Sequence, residues 1–462
     1  MAKLPEMKTL SLYYLTFNCG LALIDTDDFA SQLFNGLSSP HLPDLLVLSL
    51  QEIAPIPYSL IGGSFLVPYF NRFHDAVDKA SKKLSNDGSA YTSIAARNVG
   101  LTGIMIYAKD PTLIQDLEAG EIGVGAWSMG NKGAIGIRFT YGNGSTSTEL
   151  TFVAAHLAAM EEALQRRNQD WKNIVRGLVF SSTTSNYGTT LPRGDEDRPL
   201  LSISPQDASI YKSTSHLFVG GDLNYRTSII SPAPNDHNEV FPQPQDLVSS
   251  PRHYSSLFEN DQLNQERLAG RTFHGLIEAP ISFPPTYKYK SEGPFMTSDD
   301  ELNRWPWAKH RWPSWCDRIL YLDMPSWVQK ANPQAKIIPN KYSALPLLPT
   351  SDHRAVALDI TVPLLPIPEP EEGEGGDDPR VKMPFDIDID WKKKREKARM
   401  MEIVVGLTLY FTNTREGAAL FVAMIVGAVG AGAPLITGIY VSWDLGTFVF
   451  RKMNLDNMIL SG

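Results

Sequence analysis

Residues 216–226 read HLFVGGDLNYR. An apolar, β-rich run passes through two glycines and ends in Asp222 and Asn224. A strand that delivers polar side chains at its end is how α/β folds assemble ligand sites. Seven further runs have the same look: residues 10–17, 44–51, 102–109, 132–141, 150–157, 317–322 and 355–362. Several alternate apolar and polar residues with period two, as half-buried strands do. Helical patterns over 70–84 and 160–180 separate them. The sequence therefore predicts one α/β domain over residues 1–362. Polar, Pro- and Gly-rich stretches at 185–213 and 231–252 predict long surface loops.

The other strand ends repeat the pattern. Asn18 closes LTFNCG, Glu52 follows LSLQ, and His156 lies in VAAHLAA. Asp317 sits in PSWCDRIL, and Asp352 with His353 in TSDHRAV. Taken singly, an Asp or Asn at a strand end is a turn or cap residue, and the GNKG turn at 130–133 reads as a hairpin. Taken together, four carboxylates, two carboxamides and two histidines suit a hydrolase built around a hard cation, because Mg²⁺ prefers oxygen ligands. No CxxC or HExxH occurs, so zinc spacing is absent.

The 462 residues carry 42 Lys+Arg against 51 Asp+Glu, a net charge of −9. That balance argues against a general nucleic-acid binder. Charged residues are 20% and hydrophobic residues 43%, which excludes a mainly disordered chain. Two cysteines, Cys19 and Cys316, form no disulfide framework and point to a reducing compartment. The first residues lack an apolar run of signal-peptide length.

Composition changes after residue 362. Residues 363–390 hold nine acids and two bases among many Pro and Gly, the signature of an extended linker. A basic juxtamembrane segment, 391–416, opens with WKKKREKAR. Residues 417–443 contain no charge and are long enough to cross the roughly 30 Å hydrocarbon layer as a tail anchor. Residues 444–462 form a short tail. The positive-inside tendency puts the basic segment and the preceding domain in the cytosol.

The order LTFNCG, QEI, MGNKGAIGIRF, AAHLAA, GDLNYR, FPPTYKY, PSWCDRIL and SDHRAVA resembles the inositol polyphosphate 5-phosphatases, within the endonuclease/exonuclease/phosphatase superfamily. The likeness covers residues 10–362. The FNCG variant and the tail after a lone catalytic domain are most similar to fungal endoplasmic-reticulum members acting on phosphatidylinositol 4,5-bisphosphate. The resemblance implies a four-layer α/β sandwich with two central mixed β-sheets flanked by helices, plus the C-terminal transmembrane helix. It implies Mg²⁺ held by Glu52 with Asn18 in its shell. Asp222 would activate water and Asn224 orient it. His353, with Asp317 as dyad partner, would bind the scissile phosphate. Asp352 would lie beside metal and phosphate, and His156 would touch a phosphate oxygen. Tyr287, Lys288 and Lys309 match the grip on the 4-phosphate, and Asn131 and Lys132 the loop nearing the 1-phosphate. The expected partners are a phosphoinositide lipid and a membrane, with no nucleic acid. The expected location is the endoplasmic reticulum, with the mitochondrial outer membrane second; oligomeric state is left open.

Three departures from the family stand out. Gly20 replaces a second polar residue, Met160 replaces a frequent polar one, and the loop after GDLNYR is long and Pro-rich. Two competing readings remain: another phosphodiesterase of the superfamily, and a tethered lipid-binding scaffold without turnover. TYKY and Lys309 argue against the first. The intact set Glu52, Asp222, Asn224, Asp317 and His353 argues against the second.

Overall fold

The computed structural model describes residues 7–85, 90–144, 146–182, 204–290 and 303–430, with side chains to 425. Among the described residues, twelve strands form two six-stranded mixed sheets. The first has the order β11-β12-β1-β2-β4-β3, built from β1 (Thr9–Asn18), β2 (Leu45–Gln51), β3 (Thr92–Val99), β4 (Thr102–Ala108), β11 (Ile338–Ala344) and β12 (Val356–Pro363). The second has the order β10-β9-β7-β6-β5-β8, built from β5 (Ile114–Gly123), β6 (Gly133–Asn143), β7 (Thr146–His156), β8 (Ser181–Ser182), β9 (Ser215–Asp222) and β10 (Asp317–Tyr321).

The period-two pattern explains the layering, because successive strand side chains point to opposite faces. Leu10, Leu12 and Tyr14 of β1 pack inward with Ile135, Ile137, Phe152 and Phe218 of the second sheet. Their neighbours Tyr13, Leu15 and Phe17 face outward, onto Phe29 of α1 (Thr26–Gln32) and Phe73, Ala76 and Val77 of α3 (Val67–Leu84). The outer face of the second sheet, with Ala134, Val153, Ala155 and Val219, receives Trp171, Ile174 and Val175 of α4 (Leu164–Gly177). Helix, sheet, sheet and helix form the expected four layers. The glycine pair of GGD has a role here. A Cβ on Gly220 would meet the Tyr14 ring at 2.4 Å, and Tyr14 crosses the sandwich to donate to Val153 O at 2.8 Å.

Arg318 anchors β10 from within. It is fully buried; its Nη1 donates to both Asp261 carboxylate oxygens at 3.0 Å, and its Nε to Glu278 at 2.7 Å. Removing one partner of such a pair strands buried charge, at a cost of about 3–5 kcal/mol. Arg318→Ala is therefore expected to lower unfolding free energy by about that amount in chemical denaturation, loosening the strand that carries Asp317.

The segment after residue 363 departs from the sequence reading. Residues 364–390 contain no helix or strand, as their composition implies, yet they are anchored to the domain. Ile367 and Arg380 are buried, Trp327 Nε1 donates to Pro368 O at 2.9 Å, and Asp388 N donates to Arg176 O at 2.8 Å. Single anchor residues spaced along an acidic strap leave no periodic signal. The basic segment is a helix, Trp391–Asn413, that lies on α2 (Ile56–Ile61), with Gly406 against Leu60 and Ile61 and with Ala398, Glu402 and Leu409 also buried. Among the described residues no helix is long and apolar enough to cross a membrane. Of the expected span, 417–430 lie in the Arg415–Gly430 helix, and 431–443 fall outside the described residues.

Candidate active site

Strand register gathers the polar strand ends at one edge of the sandwich. β7 and β9 run parallel with His156 opposite Asp222, and β10 returns antiparallel with Asp317 opposite Asp222. In the other sheet Asn18 lies opposite Gln51, immediately before Glu52. The turn before β12 brings in Asp352 and His353.

Asp222 is the hub. Only 2% exposed, it accepts from Asn18 Nδ2 at 3.0 Å and from the Asn224 backbone N–H at 3.1 Å. His156 Nε2 lies 3.3 Å and His353 Nε2 3.9 Å from its Oδ2. Burial opposes its ionisation, but His353, His156 and Lys132 outweigh burial and hold its pKa well below the carboxylate range. His353 is fixed from behind. Its Nδ1 lies 2.9 Å from Asp317 Oδ2, and Thr286 Oγ1 donates to that same oxygen at 2.7 Å. Burial would lower the His353 pKa, yet Asp317 and Asp222 push it up to about 10. The imidazolium therefore persists at neutral pH, with Nε2 facing Asp222.

A second cation completes the cup. Lys132, 3% exposed, donates to His156 Nε2 at 2.6 Å and lies 3.9 Å from Glu52 Oε1. Burial and then Lys132 lower the His156 pKa, so His156 is the neutral acceptor. Asn131 is buried beside Lys132 on the same loop. Asn224 donates its side-chain amide to Leu157 O at 3.1 Å and accepts from Arg226 at 2.5 Å.

The expected substrate grip is partly assembled. Lys288 Nζ pairs with Asp352 Oδ2 at 2.8 Å, and Asp352 Oδ1 lies 3.8 Å from His353 Nε2. Burial opposes ionisation of Asp352, but His353 and Lys288 keep its pKa low. Tyr287 is 7% exposed; its ring lies 4.5 Å from that of His353 and under the Arg226 guanidinium at 4.4 Å. It acts as a packing platform for the site. Lys309 is exposed, and the Ala308 N–H before it bonds Lys288 O at 2.9 Å, which keeps the two lysines on neighbouring segments.

The donor set fits a hard cation. Glu52, held at φ +49° and 20% exposed, presents a carboxylate oxygen 4.0 Å from His156 Nε2, the nitrogen that lies 3.3 Å from Asp222. Such oxygens suit Mg²⁺ or Ca²⁺ better than a thiophilic metal. Asn18 turns its amide nitrogen to Asp222, and its oxygen accepts from Gly20 N–H at 3.0 Å. Asp222, Asp317 and His353 offer ligand atoms within 4.8 Å of one another, but the Asp317–His353 hydrogen bond already engages two of them. Gly20 itself has a backbone reason. At φ +63°, a Cβ there would meet Thr350 O at 2.9 Å. Cys19 and Cys316 are fully buried, and burial raises both thiols well above their usual range, so they stay protonated.

Three supporting residues escaped the sequence reading. Arg226 braces Asn224 and Tyr287, and Thr286 holds Asp317. Ser351 donates to Asn18 O at 2.6 Å and accepts from His353 N–H at 3.0 Å, tying the turn before β12 to the end of β1 within the first sheet. Arg226, Thr286 and Ser351 all lie in the quoted motifs GDLNYR, FPPTYKY and SDHRAVA, so a positional signal existed for each, but a hydroxyl or guanidinium does not reveal its partner in sequence.

Comparison with known proteins agrees with this architecture. The profile of endonuclease/exonuclease/phosphatase family 2 matches residues 15–359. The chain belongs to that family, and the curated relatives it matches are inositol polyphosphate 5-phosphatases, as the resemblance implied. Type II inositol polyphosphate 5-phosphatase 15 of Arabidopsis thaliana is 29% identical over 341 residues, 69% of this chain and 28% of that protein. Inositol-1,4,5-trisphosphate 5-phosphatase 1 of Schizosaccharomyces pombe is 29% identical over 359 residues, 76% of this chain and 27% of that protein. The chain thus spans about a quarter of the length of these relatives. Among solved structures, the inositol polyphosphate 5-phosphatase domain of SpSynaptojanin, in complex with inositol (1,4)-bisphosphate and calcium ion, superposes with a TM-score of 0.55. It is 23% identical and covers 86% of this chain and 91% of that one, a likeness of fold.

Proposed function

We propose that the protein is a Mg²⁺-dependent phosphoinositide 5-phosphatase converting phosphatidylinositol 4,5-bisphosphate to phosphatidylinositol 4-phosphate. The observation that carries this reading is Asp222, an ionised, buried carboxylate ringed by His353, His156 and Lys132. A base held beside fixed cations is what hydrolysis of a polyanionic ester needs: one group takes the proton of water while others stabilise charge on the phosphoryl oxygens. Asn18 and the Asn224 N–H aim the Asp222 carboxylate. His353, its Nδ1 on Asp317, donates from Nε2 to a phosphoryl oxygen. Lys288, Lys309 and Lys132 add positive charge around the rest of the ring. Glu52, with Asn18 beside it, would hold Mg²⁺, which supplies charge neutralisation at the reacting phosphate and the leaving alkoxide.

The charge-free run 417–443 and the basic cluster before it support a tail-anchored enzyme at the endoplasmic-reticulum membrane with its catalytic domain in the cytosol. An anchored enzyme meets its lipid at high effective concentration. The full chain is expected to release phosphate from vesicles containing phosphatidylinositol 4,5-bisphosphate with Mg²⁺ present, and to stop when EDTA is added. Faster release from soluble inositol 1,4,5-trisphosphate would move the substrate from lipid to free inositol phosphate. Nicking of abasic DNA without phosphate release would replace the phosphatase reading altogether.

A further inference from the structure

The Trp391–Asn413 helix begins beyond the family match, which ends at residue 359, yet it reaches the loop that carries Lys132. Glu402 is the contact. It is fully buried and accepts the backbone N–H of Gly130 at 2.9 Å. Arg395 donates to it at 2.6 and 3.2 Å, and Arg399 at 3.1 Å. Both arginines also grip the domain. Arg395 donates to Glu121 of β5 at 2.9 Å, and Arg399 to Leu60 O and Ile61 O at 2.7 Å each. Those carbonyls close α2, the short helix that follows Glu52, and a guanidinium satisfies groups the helix end leaves unpaired.

Gly130 is pinned on two sides. Its N–H goes to Glu402, and its carbonyl accepts from Leu101 N–H at 2.9 Å. Two residues on, Lys132 meets His156 and approaches Glu52. A fully buried carboxylate is costly unless every oxygen is used. Here one charge-assisted bond is directed at a single loop amide of the active site.

We propose that Glu402 is a positioning residue for the active-site loop. It fixes Gly130, and through Gly130 sets Asn131 and Lys132 against His156 and Glu52, so that this helix is a working part of the enzyme. The inference rests on the phosphatase reading for its effect on turnover, but the loop contact stands independently of it.

The test uses the full chain. Glu402→Ala is expected to lower kcat for phosphate release about tenfold or more, with a smaller change in KM, because a displaced catalytic group costs turnover. Glu402→Gln keeps an acceptor for Gly130 N–H and is expected to recover part of that loss. Hydrogen exchange over residues 125–132 is expected to accelerate in Glu402→Ala while β1, β2 and β9 stay protected. Gly406→Leu displaces the helix by another route, since a Cβ there meets Ile61 at 2.9 Å, and is expected to give the same loop exchange and the same loss of kcat. Unchanged loop exchange in both variants would overturn the proposal. So would loosened loops with wild-type kcat. If the unaltered chain released no phosphate, the function would fall while the exchange comparison still decided the loop contact.

Discussion

Asp222→Asn is expected to lower kcat for phosphate release by about a thousandfold or more, since the side chain loses both its role as proton acceptor and its charge. The substitution keeps the volume but only one acceptor oxygen, so one of the two contacts persists, Asn18 Nδ2 on Oδ2 at 3.0 Å or the Asn224 N–H on Oδ1 at 3.1 Å, and the other is lost. What disappears is the anion that faces the His353 imidazolium and the Lys132 side of the cup. Burial already disfavours charge at this position, and the surrounding cations outweigh it. Replacing the carboxylate should therefore leave the fold standing and remove the chemistry. The measurement is single-turnover phosphate release, with circular dichroism confirming the fold. Retention of more than a tenth of wild-type turnover would sink the role given to Asp222.

The sequence showed the inside of the sandwich better than its margins. All eight apolar runs are strands, because β1, β2, β4, β6, β7, β9, β10 and β12 each carry a buried face readable as hydrophobic pattern. β3 and β11 went unseen. They are the edges of the first sheet and hold exposed positions, with Pro339 and Lys341 interrupting β11. β5, polar along IQDLEAGEIG, lies next to the two-residue edge strand β8. Edge strands bury less, so they need less apolar sequence. At the site, residue types at strand ends were legible and the register then joined them. Contacts made by backbone or by lone hydroxyls were not, and neither was Glu402. Its partner is an amide 272 positions away, and it stands between a basic cluster and an apolar run with nothing in its neighbours to mark that contact.

Asp317→Asn should move the alkaline limit of activity to lower pH. His353 must carry a proton to donate from Nε2, and its pKa stands at about 10 against 6.5 for an ordinary histidine. Burial pulls that value down, so the elevation comes from neighbouring anions, Asp317 first and Asp222 second. A neutral amide at 317 removes the larger of these and leaves the desolvation in place. The direction follows: a group whose pKa is raised stays protonated below that pKa and loses its proton as pH climbs through it. In the wild type, activity should hold across neutral pH and fall only as pH nears the His353 value. In Asp317→Asn the fall should begin at least one pH unit earlier, since one unit corresponds to about 1.4 kcal/mol, less than a buried charge pair usually contributes. At the low end of the range, where His353 is protonated in both proteins, the gap in kcat should narrow to about tenfold or less, the remainder reflecting lost orientation of the ring. The check is kcat against pH for both proteins in a constant-ionic-strength buffer series with Mg²⁺ saturating at each point. Parallel profiles with the same alkaline limb would mean that Asp317 only orients the ring, and that the charge on His353 is set by Asp222.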